Sequence, residues 1–256
     1  MFVPRQIFNL AVSSMSLVSA SKIVGGIREY TYRGLQQLPI VIASTSFLLT
    51  IATGSMAHAN LTVGMAALMP LYTLVMQKFW AVTMNFIWKD SIFWKRVSSD
   101  TCKIIPDMKK TVTFDYYKTG ELDGAVPSYW FMAIAYFIGY SISNAVDSLQ
   151  TPAAVGSNEI NHEKRNSHAI VVIVTTVLFA FLVLVSRFYF MSGCEGVSYK
   201  GMILSVISAI GAAAIGNGMY TLSKQCGARS SDLFGILSQI LPPSSTSQRP
   251  VVCTAS

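Results

Sequence analysis

Residues 169–190 form a run of twenty-two residues in which Arg187 is the only charged side chain. A helix that crosses a bilayer needs about 20 mainly apolar residues, because each residue adds about 1.5 Å and the hydrocarbon core is about 30 Å thick. The run is apolar on every side, whereas a helix at the surface of a soluble protein carries a polar stripe. It therefore predicts a transmembrane helix.

Four further uncharged runs occupy residues 38–59, 61–76, 128–146 and 201–222. Only Asn60 separates the first two, which predicts a tight helical hairpin at that residue. The run 61–76 is short and contains Pro70, so it either continues through 79–88 with Lys78 reaching to the interface, or ends and leaves that stretch in the interface. We predict an all-α, multi-pass membrane protein with about five spans, four or six being the alternatives.

Composition and charge placement agree with this interpretation. The chain of 256 residues is 52% hydrophobic and 12% charged, against about 25% charged residues in soluble domains. With five spans, the N-terminal region and the connections 77–127 and 191–200 share one side. Counting Arg187 with its nearest connection, that side holds fourteen of the nineteen Lys and Arg residues. Because cytoplasmic loops are enriched in these residues, we expect the N-terminus to be cytoplasmic.

The spans divide the chain into three predicted regions. Residues 1–37 are expected to form an amphipathic region at the membrane surface. Residues 38–222 form the transmembrane helical region, which includes a polar, basic loop at 89–127. Residues 223–256 form a C-terminal docking tail.

The loop begins with basic residues beside tryptophans, a composition typical of a helix at the headgroup level of an anionic leaflet. The same composition could bind nucleic acid through stacking and phosphate contacts. Lipid is favoured because the segment follows a predicted span directly. The predicted lipid-surface residues are Trp88, Lys89, Trp94, Lys95 and Arg96.

Small residues recur every four positions along the last predicted span, in the series Ser205, Ala209, Ala213, Asn217 and Ser208, Ala212, Gly216, Tyr220. This spacing keeps them on one helical face, where small side chains let a neighbouring backbone approach. We therefore predict helix packing through Ala209, Ala212, Ala213 and Gly216. Asn217 and Asn144 are expected to form interhelical hydrogen bonds.

The sequence contains no recognisable catalytic, cofactor-binding or metal-binding motif. The four cysteines are widely spaced and form no CxxC, and the three histidines have no ligand spacing, so neither a metal site nor a disulfide framework is expected. Cys226 and Cys253 share one predicted side and could pair. Proton relays and coupling sites need ionisable residues within spans. We therefore expect no enzyme activity, no cofactor, no small-molecule substrate and no nucleic-acid partner.

The tail predicts a short amphipathic helix over residues 231–241, capped by Ser231 and ended by Pro242 and Pro243. A helix of about ten residues is marginal alone and must dock to be stable. The predicted partner contacts are Leu233, Phe234, Ile236 and Leu237. A proline- and serine-rich strap follows.

Residues 187–253 contain a succession of short motifs. In chain order these are Arg187 at the end of an apolar helix, Gly193-Cys194-Glu195, a glycine- and alanine-rich span ending in Met219-Tyr220, Cys226-Gly227, Ser231-Asp232-Leu233-Phe234-Gly235-Ile236, Leu241-Pro242-Pro243-Ser244 and Pro250-Val251-Val252-Cys253. In this pattern the chain resembles membrane-embedded, minor capsid-associated virion proteins of large icosahedral nucleocytoplasmic DNA viruses. The resemblance covers about a quarter of the chain. It implies a virion protein in the internal membrane beneath the capsid, and in host-cell membranes during assembly.

The hypothesis from these observations is a structural membrane protein that anchors the internal viral membrane to the capsid shell through its loop and tail. Its expected partners are the lipid bilayer and other capsid or membrane proteins of the virion. The alternative is a channel or small-solute transporter of a viral or organelle membrane, with a path lined by Ser141, Thr175, Thr176 and Asn217. A third interpretation is a cellular organelle-membrane protein that resembles the viral group by accident.

Overall fold

The computed structural model describes residues 30, 33–88, 94–96, 102, 125–150, 159–190, 194–225 and 233–234. Within these ranges the chain is helical apart from turns and one isolated antiparallel bridge between Lys95 and Ala125. The all-α prediction is confirmed for this part of the molecule. Most of the predicted N-terminal region, and the tail apart from residues 223–225, Leu233 and Phe234, lie outside the described residues.

The helices are α1 (Arg33–Thr53), α2 (Met56–Val63), α3 (Met69–Trp88), α4 (Tyr129–Gln150), α5 (Glu159–Val185) and α6 (Tyr199–Gln225). A π-helical turn, Gly64–Leu68, joins α2 to α3, and a second one, Ser186–Phe190, extends α5. Four continuous helical segments are long and apolar enough to cross a membrane: Arg33–Thr53, Met56–Ile87, Glu163–Phe188 and Tyr199–Gln225. A transmembrane protein follows from these lengths and compositions.

The first hairpin turns at Gly54 and Ser55, so the prediction of a turn at Asn60 is wrong. Gly54 has φ of 65°, a conformation that glycine adopts without steric cost. Its N–H donates to the carbonyl of Thr50 at 2.8 Å and closes the end of α1. Asn60 lies inside α2, where its amide donates to the Ser223 hydroxyl at 2.6 Å. Asn60, the polar residue between the two apolar runs, therefore forms a contact between α2 and α6 and not a turn.

The segment after the hairpin continues to Trp88, so the longer of the two sequence-based alternatives is the observed one. Pro70 has no N–H with which to continue the helical ladder. The π-helical turn Gly64–Leu68 ends two residues before Pro70 and changes the hydrogen-bonding pattern of the helix there. Met65 within the turn accepts a hydrogen bond from the Tyr129 hydroxyl at 2.8 Å. A neighbouring helix thereby bonds a carbonyl at the irregular turn.

Helix α4 lies at the centre of the bundle, with twelve of its twenty-two residues buried. It packs most extensively on α6 and α5. Phe137 meets Phe179 of the antiparallel α5 edge to face, with 6.1 Å between ring centroids. Along α6, which runs parallel to α4, Gly139 faces Ala213 near the middle and Asp147 pairs with Lys224 near the end.

The polarity of α4 follows from this position, because its polar groups meet protein and not lipid. Three tyrosine hydroxyls of α4 donate to main-chain carbonyls of the neighbouring segment: Tyr129 to Met65, Tyr136 to Asn60 and Tyr140 to Ala57, at 2.8, 3.1 and 3.0 Å. From α3, Tyr72 donates to the carbonyl of Ser208 in α6 at 2.9 Å. Hydrogen bonds between helices, in addition to van der Waals packing, hold the bundle together.

The outer face of α5 is apolar and exposed, with side chains that no part of the described chain covers: Ile170, Val171, Val174, Val177, Leu178, Phe181 and Leu182. In water such a continuous patch would favour association or aggregation. In hydrocarbon it is the ordinary surface of a membrane helix. The exposed side chains thus agree with the hydropathy of the sequence.

Helices α4 and α6 touch backbone to backbone through glycine. A Cβ atom added at Gly216 would clash with the carbonyl oxygen of Tyr136 and would lie 2.9 Å from the amide nitrogen of Tyr140. Of the other residues expected to pack helices, Ala209 and Ala212 are buried and Ala213 is half-buried. In contrast, a Cβ at Gly218 would meet nothing within 4 Å.

These two glycines form a matched test of the packing. Gly216→Ala should destabilise the bundle by about 1–3 kcal/mol, because the added methyl group forces α4 and α6 apart. Gly218→Ala, on the open face of the same helix, should not destabilise the bundle and should raise its stability slightly, because alanine favours the helix more than glycine does. Thermal unfolding of both variants in detergent, followed by tryptophan fluorescence, would measure the difference. Equal melting temperatures would contradict the α4–α6 packing.

Candidate functional site

A polar cluster lies at the end of the bundle where α4 begins and the helix of α5 ends. We call this cluster the cap and define it as residues 94–96, 125–128, 187 and 194–197. It brings together two connections and one span end that are far apart in the sequence. The other end of the bundle carries a smaller cluster around Asp147, which accepts hydrogen bonds from Lys224 at 2.6 Å and from Tyr220 at 2.8 Å.

The centre of the cap is an ion pair between Arg187 and Glu195. Nε of Arg187 donates to Oε1 of Glu195 at 2.8 Å, and each side chain is 1% exposed. The hydroxyl of Ser128 donates to the same carboxylate at 2.6 Å, and its backbone N–H reaches Oε2 at 3.4 Å. Removing two charges from water is costly, and the cost is offset only when further hydrogen bonds complete the pair. Ser128 supplies such bonds here.

Ser128 also begins α4. Its hydroxyl oxygen accepts a hydrogen bond from the N–H of Phe131 at 3.1 Å, as an N-cap residue does for the third residue of a helix. The carboxylate of Glu195 lies at the same helix start, where negative charge is favoured by the helix dipole. The position of α4 is therefore coupled to the ion pair.

Arg187 makes a second contact, over the face of Trp130. Its Cζ lies 4.5 Å from the centroid of the Trp130 ring, within the range of a cation–π interaction. The indole N–H of Trp130 donates to the carbonyl of Leu35 at 2.7 Å. Through these two side chains the end of α5 and the start of α4 are connected to the start of α1.

Main-chain hydrogen bonds complete the cap. The N–H of Val126 donates to the carbonyl of Trp94 at 2.9 Å, and the N–H of Val197 donates to the carbonyl of Lys95 at 3.0 Å. The side chain of Gln77, in α3, donates to the carbonyl of Pro127 at 2.8 Å. The segment 94–96 is thereby held between 125–127 on one side and 197 on the other.

A disulfide joins Cys102 to Cys194, with 5.3 Å between the Cα atoms. Leu35 packs against the bonded cysteines. No disulfide framework is expected from the sequence, which does not anticipate this bond. The two residues are 92 positions apart and belong to no spacing motif, so only the fold brings them together. Cys226 and Cys253 lie outside the described residues.

The prediction of a lipid-facing surface is wrong for Trp94 and Arg96, which are 3% and 8% exposed. The indole of Trp94 donates to Asn85 at 3.1 Å, and Nε of Arg96 donates to the carbonyl of Ala125 at 3.0 Å. These polar partners draw both side chains into the cap. Lys95 is half-buried, with Nζ 5.7 Å from the ring of Trp94. Trp88 ends α3, and Lys89 lies outside the described residues.

The four residues predicted to contact a partner also have different positions in the structure. Leu233 is 8% exposed and packs into the hydrophobic core of its own chain, so the expectation that it contacts a partner is wrong. Phe234 is 41% exposed. Ile236 and Leu237 lie outside the described residues. Of the two asparagines expected to bond between helices, Asn144 is fully buried whereas Asn217 is exposed on α6.

Sequence reasoning missed Glu195, Ser128 and the cysteine pair as members of one site. The sequence did hold a signal for Glu195, because Arg187 is a charged residue inside an otherwise apolar run and such a residue needs a partner of opposite charge. Glu195 is the nearest acidic residue. No comparable signal marks Ser128 or Cys102, whose roles depend on how α4 and the connection before it fold back.

The chemistry of the cap is that of a fixed junction. Both carboxylate oxygens of Glu195 are bonded, and its backbone carbonyl accepts from the Ser205 hydroxyl at 2.7 Å. Within the described ranges, no group of three or more His, Cys, Asp and Glu residues is placed to hold a metal ion. The arrangement positions helices and connections relative to one another.

Comparison with protein-family models, with curated proteins and with solved structures finds no match. The geometry of the bundle and its cap therefore carries the functional argument.

The two ion pairs described above, Arg187 with Glu195 and Asp147 with Lys224, allow a direct test of the cap. Glu195→Gln should destabilise the protein by about 3–5 kcal/mol, because it removes the negative charge to which the buried Arg187 side chain is bonded. Asp147→Asn, at the partly exposed pair with Lys224, should cost about 0–1 kcal/mol. Thermal unfolding in detergent would compare the two variants. The double variant Arg187→Gln/Glu195→Gln should be more stable than the sum of the single effects indicates; simple additivity would argue against the pair.

Proposed function

We propose that this chain is a structural membrane protein of a large DNA virus, which anchors the internal viral membrane to the capsid shell through exposed loop and tail. Five helices cross the membrane in this proposal, with α4 as the protein-enclosed span. The chain lies in the virion membrane beneath the capsid, and in host-cell membranes during assembly. The viral part of the proposal rests on the resemblance of residues 187–253.

The observation that carries the anchoring role is the way the polar groups of the bundle are used. The tyrosine hydroxyls of α4 bond to carbonyls of the neighbouring segment, and the charges of Arg187 and Glu195 bond to each other. Such bonds fix the arrangement of the helices. The exposed apolar face of α5 then fits hydrocarbon. A rigid bundle with a lipid-compatible exterior is what an anchor requires.

The tail supplies the proposed attachment. Leu233 packs against the core of the bundle, which places the adjacent Phe234 at its surface with 41% of the residue exposed. A large aromatic side chain next to a packed leucine is suited to insert into a pocket of a capsid or membrane protein. Because Leu233 is packed and Phe234 is exposed, a substitution of Phe234 tests the partner contact without removing the whole tail.

A channel or small-solute transporter is the second candidate. Of the side chains expected to line a path, Thr175 and Asn217 are exposed on the outside of the bundle, and the Thr175 hydroxyl bonds to the carbonyl of Val171 in its own helix. Ser141 is fully buried within α4. Thr176 is buried as well. The four positions are thus divided between the interior and the outer surface of the bundle, which supports the anchor over the channel.

Phe234→Ala should reduce retention of the chain on detergent-stripped capsid shells by about tenfold, because burial of an aromatic side chain is worth at least 1.4 kcal/mol. Leu222→Ala, which shortens an exposed apolar side chain on α6, is the control and should leave retention unchanged. Truncation after Lys224 should leave membrane insertion intact and abolish retention. If the truncated chain still co-purifies with the shells, or the chain is missing from purified virions, the proposed attachment is wrong.

Liposomes containing the purified full-length chain should conduct no more than protein-free liposomes, with a pore-forming peptide as the positive control. This result is expected because the polar groups of α4 are directed into helix contacts. A reproducible conductance or solute flux that scales with the amount of protein would favour the channel over the anchor.

A further inference from the structure

The disulfide between Cys102 and Cys194 joins the connection after α3 to the turn between α5 and α6. The residues are 6% and 1% exposed. Leu35 at the start of α1 packs against them. The bond therefore lies beside the start of α1 and joins two connections at the capped end of the bundle.

The five-span topology of the anchor assigns most of the positive charge to the same side of the membrane. Fourteen of the nineteen Lys and Arg residues belong to the side that carries both cysteines, which favours a cytoplasmic location for that side at insertion. Cytosolic thiols are kept reduced by glutathione and thioredoxin. The charge placement and the disulfide are compatible if the bond forms after insertion, when this side meets a different redox environment.

We propose that Cys102 and Cys194 form a redox latch. They are a dithiol while the capped end faces the cytosol, and they close to a disulfide when that end reaches an oxidising environment. The co-reactant is a low-molecular-weight disulfide of the glutathione class. For its orientation the latch rests on the membrane anchor proposed above.

The closing reaction is thiol–disulfide exchange. One cysteine thiolate attacks a sulfur of the small disulfide, forms a mixed disulfide and releases one small thiol. The second cysteine thiolate attacks the protein sulfur of that mixed disulfide, forms the Cys102–Cys194 bond and releases the second small thiol. The protein loses two electrons and two protons, and the small disulfide gains them as two thiols.

The cap holds Cys194 ready for this reaction through contacts that do not involve sulfur. The adjacent Glu195 is fixed by Arg187 and Ser128, and its carbonyl is bonded to Ser205. A Cα separation of 5.3 Å lies within the range that a disulfide can bridge. These bonds predict that closure needs little movement of the turn that carries Cys194.

Burial then protects the closed latch. A reductant must reach a sulfur atom along the line of the bond, and both cysteines are buried beside Leu35. The same burial limits the access of a small disulfide to the two thiols, so exchange in either direction takes place only when the cap opens locally. Before closure no covalent bond ties the connection that carries Cys102 to the turn that carries Cys194, so this opening costs less free energy for the dithiol than for the closed latch. The latch closes by exchange and stays closed when the surroundings become reducing again.

Thiol trapping at the moment of lysis tests the proposal on the full-length chain. Cells that express it are lysed directly into denaturant that contains N-ethylmaleimide, so that buried thiols are trapped as well, and peptides containing Cys102 and Cys194 are examined by mass spectrometry. We expect both to carry the maleimide. Untrapped membranes incubated with oxidised glutathione should give the linked 102–194 peptides. The variant Cys226→Ser/Cys253→Ser is the matched control and should behave in the same way.

Two outcomes overturn the latch. The first is a Cys102–Cys194 bond already formed in cells before any oxidant is added. The second is failure of the two cysteines to link in glutathione-oxidised membranes. Neither outcome depends on capsid retention, so the latch and the proposed attachment can fail separately.

The variant Ser205→Ala keeps the ion pair and removes one hydrogen bond to the main-chain carbonyl of Glu195, so it separates positioning from folding. It should slow closure by oxidised glutathione about tenfold, while the melting temperature falls only by the small amount expected for the loss of one hydrogen bond. Dithiothreitol should open the closed latch at least about tenfold more slowly in the folded protein than in detergent-unfolded protein. Equal opening rates would contradict the protection that burial provides.

Discussion

The capped end of this bundle depends on one buried ion pair, Arg187 with Glu195. Neither charge could remain in the interior alone, because an unpaired buried charge costs several kcal/mol. Each is therefore surrounded by groups from other parts of the chain: Ser128 at the start of α4, Trp130 two residues further and Ser205 in α6. The electrostatic requirement of one arginine thus fixes the relative positions of α4, α5 and α6 at this end.

The need of buried polar groups for partners also explains why α4, the central helix, contains more polar side chains than a typical membrane span. Hydropathy measures how well a helix tolerates lipid, and α4 meets lipid less than its neighbours do. Its tyrosines replace lipid contacts with hydrogen bonds to carbonyls of the segment containing α2 and α3. At Gly216 the backbones of α4 and α6 meet directly. In this bundle both the interior and the outer surface are largely apolar, and the buried polar side chains bond between helices.

The two proposals concern different parts of the molecule. The anchor rests on the rigid bundle, its apolar surface and Phe234 beside the packed Leu233. The latch rests on the placement of Cys102 and Cys194 at the basic end. Together they describe a membrane protein whose capped end is assembled by electrostatics and hydrogen bonds and then made permanent by a covalent bond.

The sequence alone determined that the chain is helical and suited to a membrane, because uncharged runs of about twenty residues have few other stable surroundings. It also indicated the small-residue face of α6, since periodicity along one helix is a local property. The tertiary structure decided the turn at Gly54, the burial of Trp94 and Arg96, the pairing of Glu195 with Arg187 and the bond between Cys102 and Cys194. These features join residues distant in the chain or depend on which polar partner lies nearby. Such information arises only when the helices have packed.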